Sequence, residues 1–318
     1  MVDKAICFCF DSDVLYNRKG AKMAEKQKFK WHSWATPWIL IFPTLVGLFV
    51  FRLIPIVSSF VLSFSNWNLI KDPIFNGLDN YKELFSDPDF WKIFGNTLKI
   101  TFGYVVGGMV FGLLLALLVN NKIKGMNFFR AAIYLPVITS SVAVGIVWMR
   151  ILGPKYGILD FLLKKIGITA PYFLQDPKIA LWTVTFVQVW KMSGYYTILF
   201  LAGLQSISKD VIEASVVDGA TPTQRLFRVI IPMLSPTTFF VFTVAIMDAF
   251  KNFELIYAMT KGGPQNATNT LVYSVYVNAF SYFRVGYAES IAWVLMAVVG
   301  FLTLLNFYVK KYWAQPLE

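Results

Sequence analysis

The sequence predicts an all-α integral membrane protein of about six transmembrane helices, with a cytoplasmic helix–turn–helix hairpin between the fourth and fifth. Three observations carry that reading. Of 318 residues 57% are hydrophobic and 15% charged, with 30 Phe, whereas a soluble domain carries about 25% charged residues. Apolar stretches of about 20 residues or more recur along the chain, long enough to cross a hydrocarbon core. Between two of them, Ser208–Pro236 is polar yet dense in helix start and stop signals.

Residues 1–33 are charged, lack apolar periodicity and turn basic toward the first span, and are expected to be a disordered cytoplasmic tail. Met23 offers a second candidate start. Cys7 and Cys9 are too isolated for a metal site, which needs about four ligands. The apolar run Ile6–Phe10 is too short for a secretory signal and leads into Asp11 and Asp13. The membrane domain occupies 34–318, with spans expected at 37–64, 96–119, 128–152, 179–204, 236–258 and 287–309. In the second span, Gly103/Gly107 and Gly108/Gly112 are small residues four apart, a spacing that lets helices approach closely.

Basic residues orient the chain. Fifteen Lys and Arg lie in the two termini and in the loops after spans two and four, against nine on the opposite side. The positive-inside rule therefore puts both termini, and the Ser208–Pro236 segment, in the cytoplasm. The net charge of +11 reflects these loops, and no basic–aromatic surface for nucleic acid accompanies it.

Within that segment Ser208 can cap a helix with Asp210 in its first turn. Gly219 is its natural stop, since a left-handed residue costs glycine almost nothing. Thr221, Pro222 and Gln224 then have the spacing of a capping box with proline in the first turn. Leu226, Val229 and Ile230 give the second helix an apolar stripe, and Pro232 and Pro236 are expected to break the chain before span five. Glu213, Asp218, Arg225 and Arg228 are expected on the outer face of a hairpin too ordered to be a tether.

Glu213-Ala214-Ser215, Asp218-Gly219-Ala220 and Val229-Ile230-Ile231-Pro232 resemble the coupling motif of binding-protein-dependent ABC importer permeases, which favours Glu-Ala-Ala, then Gly, then Ile-x-Leu-Pro. The chain departs mildly at Ser215, Val229 and Ile231. Phe200–Ile207 before the motif, Leu135-Pro136 with Trp148, and Thr260–Pro264 with Ala267-Thr268 look like the sugar-importing branch, of the maltose, glycerol-phosphate and alginate type. The resemblance covers about residues 38–310.

It implies a bacterial inner-membrane protein that forms a pathway with a second permease, homologous rather than identical. It also implies two ATPase subunits that receive the hairpins and bind ATP and Mg²⁺, and an extracytoplasmic solute-binding protein that delivers cargo. Glu213, Ala214, Ser215, Asp218, Gly219, Ala220 and Pro232 would carry the coupling. No phosphate-cradling Gly-rich loop occurs here, so no cofactor and no catalytic residue is expected in this chain. The first outer loop is too short for the extra domain of the maltose importer's corresponding subunit.

Ionisable residues inside spans cost about 2.5–3.5 kcal/mol at mid-helix and ask for a reason. Gln188, Lys191, Met192 and Tyr195 share one face of span four, and span five carries Asp248, Phe250, Lys251, Asn252 and Glu254. Polar groups interleaved with rings suit a sugar. By resemblance to the maltose importer, Gln188, Lys191, Met192, Tyr195, Phe250 and Lys251 are expected to line the pathway. Unpaired lysines would favour an acidic cargo such as a uronate, alginate-like oligosaccharide, or alternatively a glycerophosphate compound. The competing expectation pairs Lys251 with Asp248 or Glu254 three residues away and Lys191 across helices. An intramembrane enzyme lacks its motifs here, a channel filter sequence is absent, and a secondary transporter would show paired helix interruptions, none of which is visible in the sequence.

Overall fold

The structure, a computed structural model, describes residues 35–121 and 124–313. The predicted basic tail at 1–33 lies outside them. The described residues fall into two units, one ending at Val57 and one beginning at Ser58.

The first unit is helical: α1 (Ala35–Leu48), a π turn (Phe49–Leu53) and the start of α2 (Ile54–Leu62). Leu40–Leu62 is long and apolar enough to span a membrane, and most of its large apolar side chains are exposed, as lipid-facing residues are.

The second unit begins in α2. A two-residue hairpin follows, β1 (Ser65–Asn66) with β2 (Ile74–Phe75), antiparallel with Ser65 opposite Phe75. Then come α3 (Asp79–Ser86), α4 (Pro88–Val119), α5 (Met126–Ile138), α6 (Ser141–Ile151), α7 (Ile158–Lys165) and α8 (Ala180–Ser206). The hairpin region is α9 (Lys209–Val217), α10 (Pro222–Arg225), a π turn (Leu226–Ile230) and α11 (Ile231–Met233). The chain closes with α12 (Ser235–Ala249), α13 (Glu254–Met259), α14 (Leu271–Tyr276) running into a third π turn (Val277–Ser281), and α15 (Val285–Trp313).

α4 and α8 form the axis of the bundle. The four small residues read from the sequence make that contact: a methyl on Gly103 would meet Trp182 and Thr185, on Gly107 Val189, and on Gly108 or Gly112 Tyr196. Tyr196 is fully buried and donates to the Tyr104 hydroxyl across the helices at 2.8 Å. α12 packs onto the same core through Val241, Ala245 and Ile246.

Among the described residues, three helices are long and apolar enough to cross a membrane, and up to five spans result if each bent pair counts as one. α8 has the length, at 27 residues, but Gln188, Lys191 and Gln205 lower its apolar character. Two spans expected to be continuous are broken. Residues 128–152 divide into α5 and α6, bent by 99° at Thr139–Ser140, where both residues adopt extended backbone. The turn follows Pro136, whose missing N–H and bulky ring weaken the last winding of α5. The stretch 236–258 stops at Ala249 and restarts at Glu254. α6 and α13, the helices beyond the two interruptions, pack together, Gly145 against Ala258.

Pro232 also departs from expectation: it does not stop the winding, which ends at Leu234 with a 65° bend into α12. The π turn before it explains this. The Ile231 N–H bonds the Leu226 carbonyl, and the widened turn makes room for the ring of the following proline. The same arrangement recurs at Phe49–Leu53, where the Ile54 N–H bonds Phe49 ahead of Pro55.

Candidate functional site: a polar cleft at broken helices and a capped hairpin

The two breaks and α8 converge on a cleft of about 190 Å³. Its lining brings together Gln188, Lys191 and Met192 from α8 with Lys251 from the second break, four of the six predicted pathway residues. Tyr104, Ser141, Asp248, Asn252, Glu254 and Leu255 complete it. The remaining two predicted residues are elsewhere. Phe250 is buried in the main apolar core, and Tyr195 packs beside that core with its ring on Tyr196. Tyr195 was placed by the shared face of span four and by resemblance, Phe250 by resemblance alone. Phe250 falls just past the end of α12, and Tyr195 lies beyond the cleft along α8.

The breaks matter because unwound backbone at membrane depth is tolerated where it lines a cavity or is buried in protein. Lys191 is buried, and its ammonium donates to the Val137 carbonyl at 3.4 Å, in the last turn of α5. It thus supplies a cation to the negative end of a half-helix. The approach is possible because Gly194, one turn further along α8, lies directly against the backbone of Ile133, leaving no room for a side chain. Lys251 is exposed and sits 3.6 Å from Asp248, the i,i+3 pairing foreseen as its alternative. No carboxylate lies within ion-pair distance of Lys191 among the described residues, so the predicted cross-helix pairing with an acid does not form.

Gln188 is only 2% exposed, yet its Oε1 has no hydrogen-bond partner, and neither has the buried Asn252 Nδ2. Both residues line the cleft. One is an acceptor and the other a donor, so the cleft wall carries both halves of a hydrogen-bond pair. Among the described residues no group of three His, Cys, Asp or Glu is placed to hold a metal.

The second candidate region is the hairpin. Ser208 Oγ accepts from the Asp210 N–H, and Thr221 with Gln224 forms a full capping box behind Pro222. Gly219 takes φ +79°, with Gly219 N–H on Val216 and Ala220 N–H on Ser215, the paired bonds of a Schellman stop. Glu213, Ala214, Asp218, Gly219 and Pro232 are exposed and Ala220 is half-buried. Ser215 is buried and its hydroxyl donates to Ile212, so it shapes the helix rather than the outer face. Sequence reasoning expected a charged outer face; Val216, Val217 and Phe227 are exposed there as well. An amphipathic count assigns such residues inward, and only the short, turned helices leave them outside.

Comparison with known proteins places the chain. Residues 108–312 match the family "Binding-protein-dependent transport system inner membrane component". The chain is 39% identical over 282 residues to the probable ABC transporter permease protein YesP of Bacillus subtilis, covering 86% of this chain and 89% of that protein. It is 34% identical to the multiple sugar-binding transport system permease protein MsmF of Streptococcus mutans, covering 86% and 94% respectively. Its fold matches a chain of a bacterial ABC transporter involved in the import of the acidic polysaccharide alginate, with a TM-score of 0.79 and 22% identity over 92% of this chain and 100% of that one. With that architecture, those relatives and a family match across most of its length, the chain belongs to the inner-membrane components of binding-protein-dependent transport systems, the permease subunits of ABC importers.

Proposed function

We propose that this chain forms, with a second and homologous permease, the membrane pathway of an ATP-driven oligosaccharide importer, and that the cleft at the broken helices is where cargo is held. The observation that carries the proposal is the unpartnered pair of buried amide atoms, Gln188 Oε1 and Asn252 Nδ2. A buried polar atom without a partner costs about 1–3 kcal/mol, and turning either amide toward the cleft would pair it with a sugar hydroxyl, which donates and accepts at once. Sugar permeases among the relatives support the cargo class.

Lys191 favours an acidic form of that cargo, such as a uronate. It holds an ammonium at the buried wall with a single backbone carbonyl as partner. Asp248 already answers Lys251. In this reading both termini are cytoplasmic, a solute-binding protein delivers cargo on the outer side, and ATP and Mg²⁺ are bound by two separate ATPase subunits. Glu213, Ala214, Asp218, Gly219, Ala220 and Pro232 transmit the ATPase motion through the hairpin, with Ser215 holding its shape.

The test is uptake into vesicles containing the whole complex, scanned over arabino-, malto- and galacturono-oligosaccharides. Gln188→Leu should lower uptake of the transported sugar at least about tenfold, the lower part of what one lost buried hydrogen bond commands. Wild-type uptake by this variant rejects the cleft as the cargo site. Lys191→Met should lower the ratio of acidic to neutral uptake, and an unchanged ratio rejects the acidic preference.

A further inference from the structure

We infer that the Tyr104 hydroxyl, contributed to the cleft by α4 and held by Tyr196, is a specificity-determining donor that selects for a sugar hydroxyl at one position of the cargo. This rests on the cargo reading above and adds one selecting contact to it.

Tyr104 is the one residue of α4 that lines the cleft. Its hydroxyl lies 2.8 Å from that of Tyr196, a distance at which a single proton sits between the two oxygens. That proton belongs to Tyr196, which donates while Tyr104 accepts. Burial explains the direction. Tyr196 is fully buried, and α4 lies against it at Gly108, beside the ring, and at Gly112, beside Cβ, so the side chain has no room to swing toward another acceptor. A buried Tyr hydroxyl finds a hydrogen-bond partner, and the Tyr104 oxygen is the partner Tyr196 has among the described residues.

This leaves the proton of Tyr104 itself unspent. Asp248 shares the cleft wall but pairs with Lys251, and among the described residues no group accepts from Tyr104. A phenol oxygen that already accepts one hydrogen bond meets a ligand mainly as a donor. The bond it receives also polarises its O–H and strengthens the bond it gives. In the cargo reading Lys191 answers a carboxylate, so the acceptor left for Tyr104 is a sugar hydroxyl. A methylene or an ammonium group at the same place offers no acceptor. Packing alone does not call for the pair: replacing both partners of a buried hydrogen bond by apolar groups of similar shape is close to neutral for stability, and the glycine seam already joins α4 to α8. Gln188 and Lys191 come from α8, so Tyr104 reads the cargo from a second wall.

The measurement uses the full complex in vesicles with arabinobiose, maltose and galacturonobiose and the monodeoxy derivatives of each. For every hydroxyl, the preference is uptake of the intact sugar divided by uptake of its deoxy derivative. Comparing variants with the same binding protein cancels the share of the preference that arises in delivery. Tyr104→Phe should reduce the preference about tenfold at one hydroxyl, the equivalent of one hydrogen bond, and leave the others unchanged. Tyr104→Phe combined with Tyr196→Phe strands no hydroxyl in the seam and should show the same loss. Tyr196→Phe alone keeps the donor and should hold the preference near wild type. Unchanged preferences in both Tyr104 variants overturn the inference, and so does an equal loss of intact and deoxy sugars. A Tyr196→Phe variant that loses the preference as fully as Tyr104→Phe also overturns it, because it marks the pair as a strut. Failure of the cargo reading shows separately, as wild-type uptake by Gln188→Leu.

Discussion

Gly112 and Gly300 show how differently the same residue type weighs at two points of one bundle. At Gly112 an added methyl would lie 2.6 Å from Tyr196 Cβ and 3.2 Å from its backbone carbonyl carbon, with neither able to yield. Gly300, in the middle of α15, has open space around it. Gly112→Ala should therefore destabilise by about 1–3 kcal/mol through overpacking, whereas Gly300→Ala should stabilise by up to about 1 kcal/mol through helix propensity. Thermal unfolding of the detergent-solubilised protein checks both signs, and a neutral Gly112→Ala would refute the tight α4–α8 seam. Lys191 belongs to the same scale. Its position on α8 was legible in the sequence, but its partner was not, because a backbone carbonyl in a broken helix has no signature in composition or spacing.

Among the elements, the hairpin was read most fully and the broken spans least. Ser208, Gly219, Thr221 and Gln224 act within a few residues of their own backbone, so each cap and the stop between them follow from local chemistry. Gly219→Val should misshape the turn, since a β-branched residue is strained at φ +79°. Cargo-stimulated ATP hydrolysis of the assembled complex should fall several-fold, with Gly219→Asn closer to wild type because Asn tolerates that conformation. Equal activity of the two variants would show that the turn's shape is unimportant. The breaks at Thr139–Ser140 and at 250–253 carry no comparable local code, apart from Pro136. Both breaks are short polar interruptions inside long apolar stretches, Thr139-Ser140 in one and Lys251-Asn252 in the other, so a hydropathy window averages over them and counts one span where the chain makes two helices.

Across the whole molecule, the prediction concerns orientation and docking. In a variant whose Cys7 and Cys9 are replaced by Ser, Ala214→Cys should react with a membrane-impermeant thiol reagent only from the cytoplasmic side. In the assembled complex it should crosslink to the ATPase subunit. Gln265→Cys, exposed in the loop after α13, should react only from the opposite side. Labelling of both from one side would overturn the topology. An active complex without the crosslink would remove the hairpin from the coupling path.

The sequence by itself determined the class of the protein, the approximate course of its spans and the hairpin with its caps. These depend on hydrophobic length, on charge asymmetry and on side chains bonding their own backbone, all of which are local. Only the tertiary structure decided what the cleft contains. It excluded Phe250 and Tyr195, admitted Tyr104, Ser141 and Asn252, set Lys191 against the end of α5 and left Gln188 Oε1 without a partner. Those outcomes depend on where helices stop and how closely they cross, and a contact such as Gly194 against the Ile133 backbone joins residues far apart in the chain.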